Sequence, residues 1–126
     1  MKSDLIYADF CYRIVGILFE VYNNLGYGYQ EKYYQKAVAV SLENNKINFK
    51  EQVKVILKLK GAYVGKYFLD FLIDDKIILE LKKGNYFSRK NIEQVYAYLK
   101  STNLKLGILA NFTSTGIKFK RIVNIK

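Results

Sequence analysis

The first 45 residues place apolar and polar side chains with the period of a helix. Between residues 4 and 25 apolar side chains recur at helical spacing, while Asp9, Arg13 and Glu20 fall on other faces. Gly26-Tyr27-Gly28 ends this pattern, and a second helical pattern runs from about residue 30 to about residue 44. The pattern predicts two amphipathic helices at the start of the chain.

From residue 48 onward the pattern becomes that of strands. Apolar residues and lysines largely alternate over residues 48–60, as in a strand with one solvated face, and a turn follows at Gly61. The segments 66–73 and 76–82 are rich in aromatic and β-branched side chains, which is typical of a β-hairpin. The first three strands are therefore expected to form a meander.

The last third of the chain returns to a helix and then to a strand. Ser88 is a suitable N-cap for a helix that ends near Ser101, and residues 104–110 form a short apolar strand. The predicted order is ααβββαβ, an α/β sandwich. A short strand near residues 117–123 is compatible with the pattern but stands outside that order. With 126 residues and 51% hydrophobic side chains, we expect one domain over residues 1–126.

The composition limits the catalytic groups and metal ligands that the chain can supply. The chain has no histidine, which removes Ser-His and Cys-His nucleophilic arrangements and every His-ligated metal site. The single cysteine, Cys11, excludes an intramolecular disulfide and a multi-cysteine zinc site. The charged residues of the first helix interrupt the apolar run that a signal peptide or a membrane span would need. We expect a cytoplasmic protein without membrane insertion, whose chemistry rests on carboxylates, Lys, Tyr or Ser.

The positive charge is concentrated at the C-terminal end. The net charge is +10, and residues 82–126 hold ten Lys or Arg but a single acidic residue, Glu93. This distribution favours a polyanionic partner, because Lys and Arg neutralise phosphates and release condensed counterions. A solvated lysine-rich surface would give the same composition. The cations expected to follow a phosphate backbone are Lys83, Arg89, Lys90, Lys118, Lys120 and Arg121.

Two neighbouring strands carry carboxylates inside apolar runs. Asp70 and Glu80 each lie among bulky apolar residues, where an unpaired charge would be costly to desolvate. Because side chains alternate along a strand, Glu80 and Lys82 share one face. Asp70 joins them only if it lies opposite Glu80, which requires a loop with an odd number of residues, such as the three-residue loop 74–76, rather than a two-residue loop.

The hairpin alone supports two interpretations. Opposed carboxylates with Cβ atoms roughly 5 Å apart repel one another unless a cation lies between them, and hard oxygen ligands favour Mg²⁺ or Mn²⁺. Lys82 would then lie over the reacting centre. The alternative is a structural salt bridge from Lys82 to Asp70 or Glu80 without any metal.

The spacing Asp70-x9-Glu80-x-Lys82 on consecutive strands resembles the core motif of the PD-(D/E)XK nuclease superfamily, with Leu69 at the position of the proline. The segment from Gly26 to Tyr34 resembles the signature of the GxxExxY family and places Glu31 at the acidic position. Together with the closing segments 107–112 and 120–122, the resemblance covers roughly residues 5 to 123.

A further motif lies in the predicted third helix. Gln94-x-x-x-Tyr98 resembles the QxxxY motif of RecB-like members, and its spacing places both side chains on one helix face. The resemblance implies a restriction-endonuclease-like α/β/α sandwich with a central mixed sheet. It also implies a metal-dependent hydrolase that cuts phosphodiester bonds in DNA.

The resemblance also assigns roles to residues. The ligands of Mg²⁺ or Mn²⁺ that it implies are Glu31, Asp70, Glu80 and the carbonyl of Leu81. Lys82 would orient the nucleophile or neutralise a phosphate oxygen, and Gln94 and Tyr98 would position the scissile strand or Lys82. Nucleic acid, DNA in particular, is the implied partner, and the short chain favours a homodimer or a larger assembly.

Other hypotheses account for the same residues. A catalytically silent module that binds nucleic acid or another partner would keep this fold, since fold does not determine function. A structural or oligomeric domain would show no affinity for DNA even at low salt. Glu31 also suits the positive end of a helix dipole, and Tyr98 also suits packing.

Overall fold

In residues 6–125, the part of the chain that the computed structural model describes, a five-stranded mixed sheet lies between two layers of helices. The elements in chain order are α1 (Ala8–Leu25), α2 (Glu31–Asn44), β1 (Phe49–Leu59), β2 (Ala62–Ile73), β3 (Ile77–Lys83), α3 (Arg89–Thr102), β4 (Leu106–Thr113) and β5 (Gly116–Val123). The strands lie in the order β1-β2-β3-β4-β5. Strands β3 and β4 are parallel and joined through α3, and the other neighbours are antiparallel.

Each face of the sheet carries its own apolar core. On one face, α1 and α2 pack against β3 and β4 through residues such as Leu18, Leu42 and Ile108. On the other face, Val95 and Leu99 of α3 pack against the same strands. The predicted α/β/α sandwich with a central mixed sheet is therefore confirmed, and β5 is added to the predicted order. No helix in the described part of the chain is long and apolar enough to cross a bilayer.

Several boundaries differ from the sequence pattern. Residues 4 and 5 of the predicted first helix lie outside the described residues, and α1 begins only at Ala8, after Tyr7 takes a left-handed backbone conformation with φ 51°. Strand β2 begins at residue 62 rather than 66, because positive φ values at Lys60 and Gly61 make a turn tight enough for β1 and β2 to pair almost to its tip. The Ser88 cap is confirmed: its Oγ accepts a hydrogen bond from the backbone N–H of Asn91.

The connection between β2 and β3 is the predicted three-residue loop. Asp74 and Asp75 both have positive φ, 52° and 56°, a conformation that aspartate tolerates better than most residues. The backbone N–H of Lys76 donates to the carbonyl of Ile73 at 3.0 Å and closes the turn. The register of β2 against β3 is determined by this turn.

Close packing of α3 on the sheet predicts a stability effect at Gly107. A Cβ atom there would lie 2.7 Å from Cγ1 of Val95, a buried β-branched side chain with little rotamer freedom in a helix. We expect Gly107→Ala to lower the free energy of unfolding by about 1–3 kcal/mol. Gly16→Ala is the matched control: nothing lies within 4 Å of its new Cβ, and the substitution is expected to stabilise α1 by about 0.5–1 kcal/mol.

Urea unfolding followed by circular dichroism measures both variants. A lower midpoint for Gly107→Ala with an unchanged m-value would confirm the close approach. Equal stability of Gly107→Ala and the wild type would contradict the packing of α3 on β4.

Candidate active site

The two carboxylates lie where the β2–β3 ladder ends. The paired residues are Phe71 with Leu79, Leu72 with Ile78 and Ile73 with Ile77. Asp70 and Glu80 occupy the next position of this register. The predicted register is therefore confirmed.

At this position side-chain carboxylates accept the hydrogen bonds that backbone carbonyls accept in the rest of the β2–β3 ladder. The backbone N–H of Asp70 donates to Oε2 of Glu80 at 2.7 Å, and the backbone N–H of Leu81 donates to Oδ2 of Asp70 at 2.9 Å. Glu80 is only 4% exposed, and Asp70 is half-buried. Each carboxylate thus holds the strand that carries the other one.

Burial makes ionisation of both groups costly. Desolvation raises the pKa of Asp70, against the opposing effects of the Leu81 hydrogen bond and the positive charge of Lys82. Desolvation and, second, the charge of Asp70 raise the pKa of Glu80 to about 8. A proton or a cation is therefore needed at neutral pH to balance the negative charge of the pair.

Lys82 supplies positive charge and takes part in no ion pair within the part of the chain that the structure describes. Its charge lowers the pKa of both carboxyl groups. The ion pairs within 4.0 Å among residues 6–125 are Lys50–Asp75, Lys76–Asp74 and Arg89–Glu93. The salt bridge that would have made this cluster purely structural is not among them.

The segment from Gly26 to Tyr34 brings a third carboxylate toward the site. Tyr34 is fully buried, stacks on Phe112 with ring centroids 4.0 Å apart, and donates its hydroxyl to the carbonyl of Gly26 at 2.6 Å. This anchor fixes the loop before α2, so that Glu31 begins the helix next to the end of β3. Oε2 of Glu31 accepts a hydrogen bond from the backbone N–H of Lys83 at 3.2 Å.

Tyr98 and Gln94 lie on the face of α3 nearest to the carboxylates. Tyr98 is buried and stacks on Tyr67 with ring centroids 4.0 Å apart. Burial and, second, the negative charge of Glu80 raise the pKa of Tyr98 to about 12, against a hydrogen bond with the Gln94 side chain. The phenol is therefore protonated at neutral pH and is able to donate a hydrogen bond.

Comparison with family models decides the family. The model of the PD-(D/E)XK nuclease superfamily matches residues 8–122. The chain belongs to the PD-(D/E)XK nuclease superfamily. Members of this superfamily are generally nucleases that act on nucleic acids with the help of divalent metal ions.

Comparison with solved structures supports the fold. The crystal structure of SSO0001 superposes on this PD-(D/E)XK chain with a TM-score of 0.62 and 19% sequence identity. The match covers 76% of the present chain and 52% of SSO0001, so this chain spans about half the length of that protein. No curated protein matches the chain in sequence.

The residues of this PD-(D/E)XK site suit a hard divalent cation. Mg²⁺ commonly keeps several waters and takes only one or two carboxylates from a protein, which Asp70 and Glu80 provide. The N–H of Leu81 points to Asp70, and the N–H and C=O of a strand residue face the same side, so the Leu81 carbonyl is directed there too. Among residues 6–125 no three His, Cys, Asp or Glu side chains are placed to hold one metal ion together, so Glu31 does not form a three-carboxylate ligand set with the pair.

Gln52 of β1 is a further residue at the site that the motifs do not include. The β1–β2 register places Glu51 opposite Phe71 and Val53 opposite Leu69, so Gln52 lies level with Asp70. Its φ of 49° is uncommon inside a strand, and its side chain hydrogen-bonds the Asp70 carboxyl group. Asp70 is thus held from β1 as well as from β3. The available signal was Glu51, a charged residue where the alternation of β1 requires an apolar one.

The structure divides the predicted phosphate-binding cations. Lys118 and Lys120 lie over the rings of Tyr86 and Phe87, in a basic and aromatic cluster beside the loop that precedes α3. Arg121 is separated from them: its guanidinium donates to the carbonyl of Ile6 at 2.5 Å on the α1 side of the sheet.

The remaining three cations lie nearer the site or on α3. Lys83 ends β3 and lies over the ring of Tyr27. Arg89 and Lys90 are exposed in the first turn of α3, where Arg89 pairs with Glu93.

Proposed function

We propose that this chain is a Mg²⁺- or Mn²⁺-dependent nuclease that hydrolyses phosphodiester bonds in DNA, within the GxxExxY family and the RecB-like branch of the superfamily. The observation that carries the proposal is the pairing of Asp70 and Glu80 at the end of the β2–β3 ladder, with Lys82 two residues beyond Glu80. The motifs around Glu31 and Gln94 support the finer family assignment.

The carboxylates would serve as metal ligands. A divalent cation bound to Asp70, Glu80 and the Leu81 carbonyl would lower the pKa of a bound water and stabilise charge on the phosphate. Glu31 raises the pKa of both carboxyl groups through its charge, so it lies near the pair. Because no three such side chains among residues 6–125 are placed to hold one ion, Glu31 would act on the cation through water.

The remaining side chains would act on the substrate. Lys82 acts through its charge on both carboxyl groups and would contact a phosphate oxygen or orient the attacking water. Tyr98, which stays protonated, would donate a hydrogen bond to the scissile strand, with Gln94 holding its hydroxyl. Lys83, Lys118 and Lys120 would contact flanking phosphates, joined by Arg89 and Lys90. Arg121 would contribute only on the opposite side of the sheet.

We propose that this nuclease is located in the cytoplasm. A DNA substrate and a single buried cysteine, Cys11, fit the reducing cytoplasm. We also propose a homodimer or a larger assembly, which light scattering on the purified protein tests directly.

Cleavage assays test the proposed activity. Wild type and Asp70→Asn are purified in parallel and given circular single-stranded DNA, linear single-stranded DNA, duplex DNA and RNA, each with Mg²⁺, Mn²⁺ or EDTA. The asparagine amide oxygen can still accept the Leu81 hydrogen bond, so this variant keeps the fold. We expect the wild type to cut DNA only with metal, and the circular substrate to separate internal cleavage from cleavage at ends.

Two outcomes would contradict the proposal. Equal cleavage by wild type and Asp70→Asn would identify a contaminating enzyme. Absence of cleavage on every substrate, with metal-independent DNA binding, would identify a catalytically silent binding module.

A further inference from the structure

Strands β1 and β2 extend well beyond the rest of the sheet. They pair with each other from Phe49 and Ile73 out to Leu59 and Ala62, whereas β3 pairs with β2 only over residues 71–73. Residues 53–69, here called the hairpin arm, therefore project past β3. The arm ends directly at Asp70, so its inner end lies next to the carboxylates.

One face of the hairpin arm is packed against α3. Val53, Val55, Tyr67 and Leu69 contact the α3 core, with the Tyr67 ring stacked on Tyr98 and its hydroxyl bonded to Ser101. The arm is thus held at a defined position beside the site.

The other face of the arm is exposed, basic and apolar. Lys54 lies directly opposite Phe68, and Ile56 opposite Lys66, so these four side chains share the face that points away from α3. Phe68 is 46% exposed, and beyond it Tyr63, which lies opposite Lys58, is 63% exposed. Such a concentration of exposed apolar side chains marks an interaction surface.

Charge indicates the class of partner. The arm contains Lys54, Lys58, Lys60 and Lys66 and no acidic residue. None of these lysines takes part in the ion pairs found among the described residues. A second copy of the chain docked on the same surface would place two sets of lysines against each other, and lysines on edge strands oppose such pairing. A polyanion is favoured instead.

We propose that the outer face of the hairpin arm binds a single strand of nucleic acid and leads it to the Asp70–Glu80 pair. Lysines would contact the phosphates, while Phe68 and Tyr63 would stack on bases, which only an unpaired strand exposes. A duplex offers phosphates at its surface but leaves these apolar side chains without a partner. This inference rests on the proposed nuclease function and adds the form of its substrate.

Fluorescence anisotropy with a labelled single-stranded oligonucleotide tests the proposal, using Asp70→Asn protein so that the probe stays intact. We expect single-stranded DNA to bind at least about ten-fold more tightly than a duplex of the same sequence. In this background, Phe68→Ala should weaken single-strand binding by about five- to a hundred-fold, and Phe68→Tyr should retain it. Equal affinity for the single strand and the duplex would overturn the proposal.

A charge reversal provides the matched control. Lys54→Glu with Lys66→Glu should weaken single-strand binding by more than ten-fold and reduce the slope of log K against log salt by about 1.4. Lys36→Glu with Lys105→Glu changes the charge equally on other exposed positions. Equal losses in the two double variants would overturn the proposal, as would a change of oligomeric state produced by the arm substitutions alone.

The result does not depend on catalysis. Tight, arm-dependent binding by a protein that cuts nothing would contradict the proposed nuclease and leave the binding surface standing. Metal-dependent cleavage that is unchanged by Phe68→Ala and by the arm charge reversal would support the proposed nuclease and contradict the proposed role of the arm.

Discussion

Replacing Lys82 with alanine is expected to lower the rate constant of DNA cleavage by about 10²–10³-fold at saturating metal, the loss typical of removing one charged group that stabilises a transition state. Lys82 is the cation whose charge reaches both carboxyl groups without forming an ion pair among the described residues. Metal affinity should be unchanged or higher, because a positive charge beside the ligands is removed. Single-turnover cleavage and calorimetric titration with Mg²⁺ measure the two effects separately.

Two further substitutions make this test specific. Lys82→Arg keeps the charge and should recover part of the rate, while Lys105→Ala removes an exposed lysine just before β4 and should leave the rate unchanged. A Lys82→Ala variant that cuts as fast as the wild type would show that the lysine does not act on the phosphate. An unchanged rate constant with weaker DNA binding would show a role in binding alone.

The meeting of Asp70 and Glu80 was predictable because it depends on local rules. Strand periodicity places Glu80 and Lys82 on one face, and two aspartates with positive φ close a three-residue turn that sets the register. The position of Glu31 was predictable only through the motif. Its physical cause is the burial of Tyr34 on Phe112, a contact between residues far apart in the chain.

Strands β1 and β2 each change the face that their odd-numbered side chains occupy, and regular alternation does not predict this change. Phe49 packs against the α1–α2 core and Val53 against the α3 core, although both are odd-numbered residues of one strand. The same change separates Phe71 from Leu69 on β2. A regular strand would keep such residues on one face, so the pair must twist or kink between them.

This change of faces explains the geometry of the site. It falls at Gln52 and Asp70, where Gln52 takes its positive φ and the backbone ladder to β3 ends. Rules that treat each strand as regular do not predict the change itself, and the charged Glu51 at an apolar position of β1 was the sequence signal of where it occurs. Asp70 is held there from both sides, by the Gln52 side chain and the Leu81 N–H, and the hairpin arm starts from the same position.

Glu80→Gln is expected to abolish cleavage and at the same time to stabilise the metal-free protein at high pH. Loss of a charged ligand should lower the cleavage rate by about 10³-fold or more, since metal coordination contributes several kcal/mol of charge stabilisation. The amide oxygen of glutamine can still accept the hydrogen bond from the backbone N–H of Asp70, so the local structure is retained.

The pH dependence of stability separates these two effects. The pKa of Glu80 is about 8 in the folded protein against an ordinary value of 4.5, so between these values the folded state holds a proton that the unfolded state has released. Metal-free wild type should therefore lose stability as pH rises from 4.5 to 8, by at most about 1.4 kcal/mol per pH unit. The raised pKa of Asp70 acts in the same direction.

Urea unfolding in EDTA at pH 5, 7 and 9 measures this dependence. Wild type and Glu80→Gln should have similar stability at pH 5, and the variant should be the more stable protein at pH 9. Addition of Mg²⁺ at pH 9 should then stabilise the wild type more than the variant, because the cation replaces the lost proton at the carboxylate pair. Parallel stability curves for the two proteins would mean that Glu80 has its ordinary pKa in the folded protein. The carboxylate pair would then carry its charge without needing a cation.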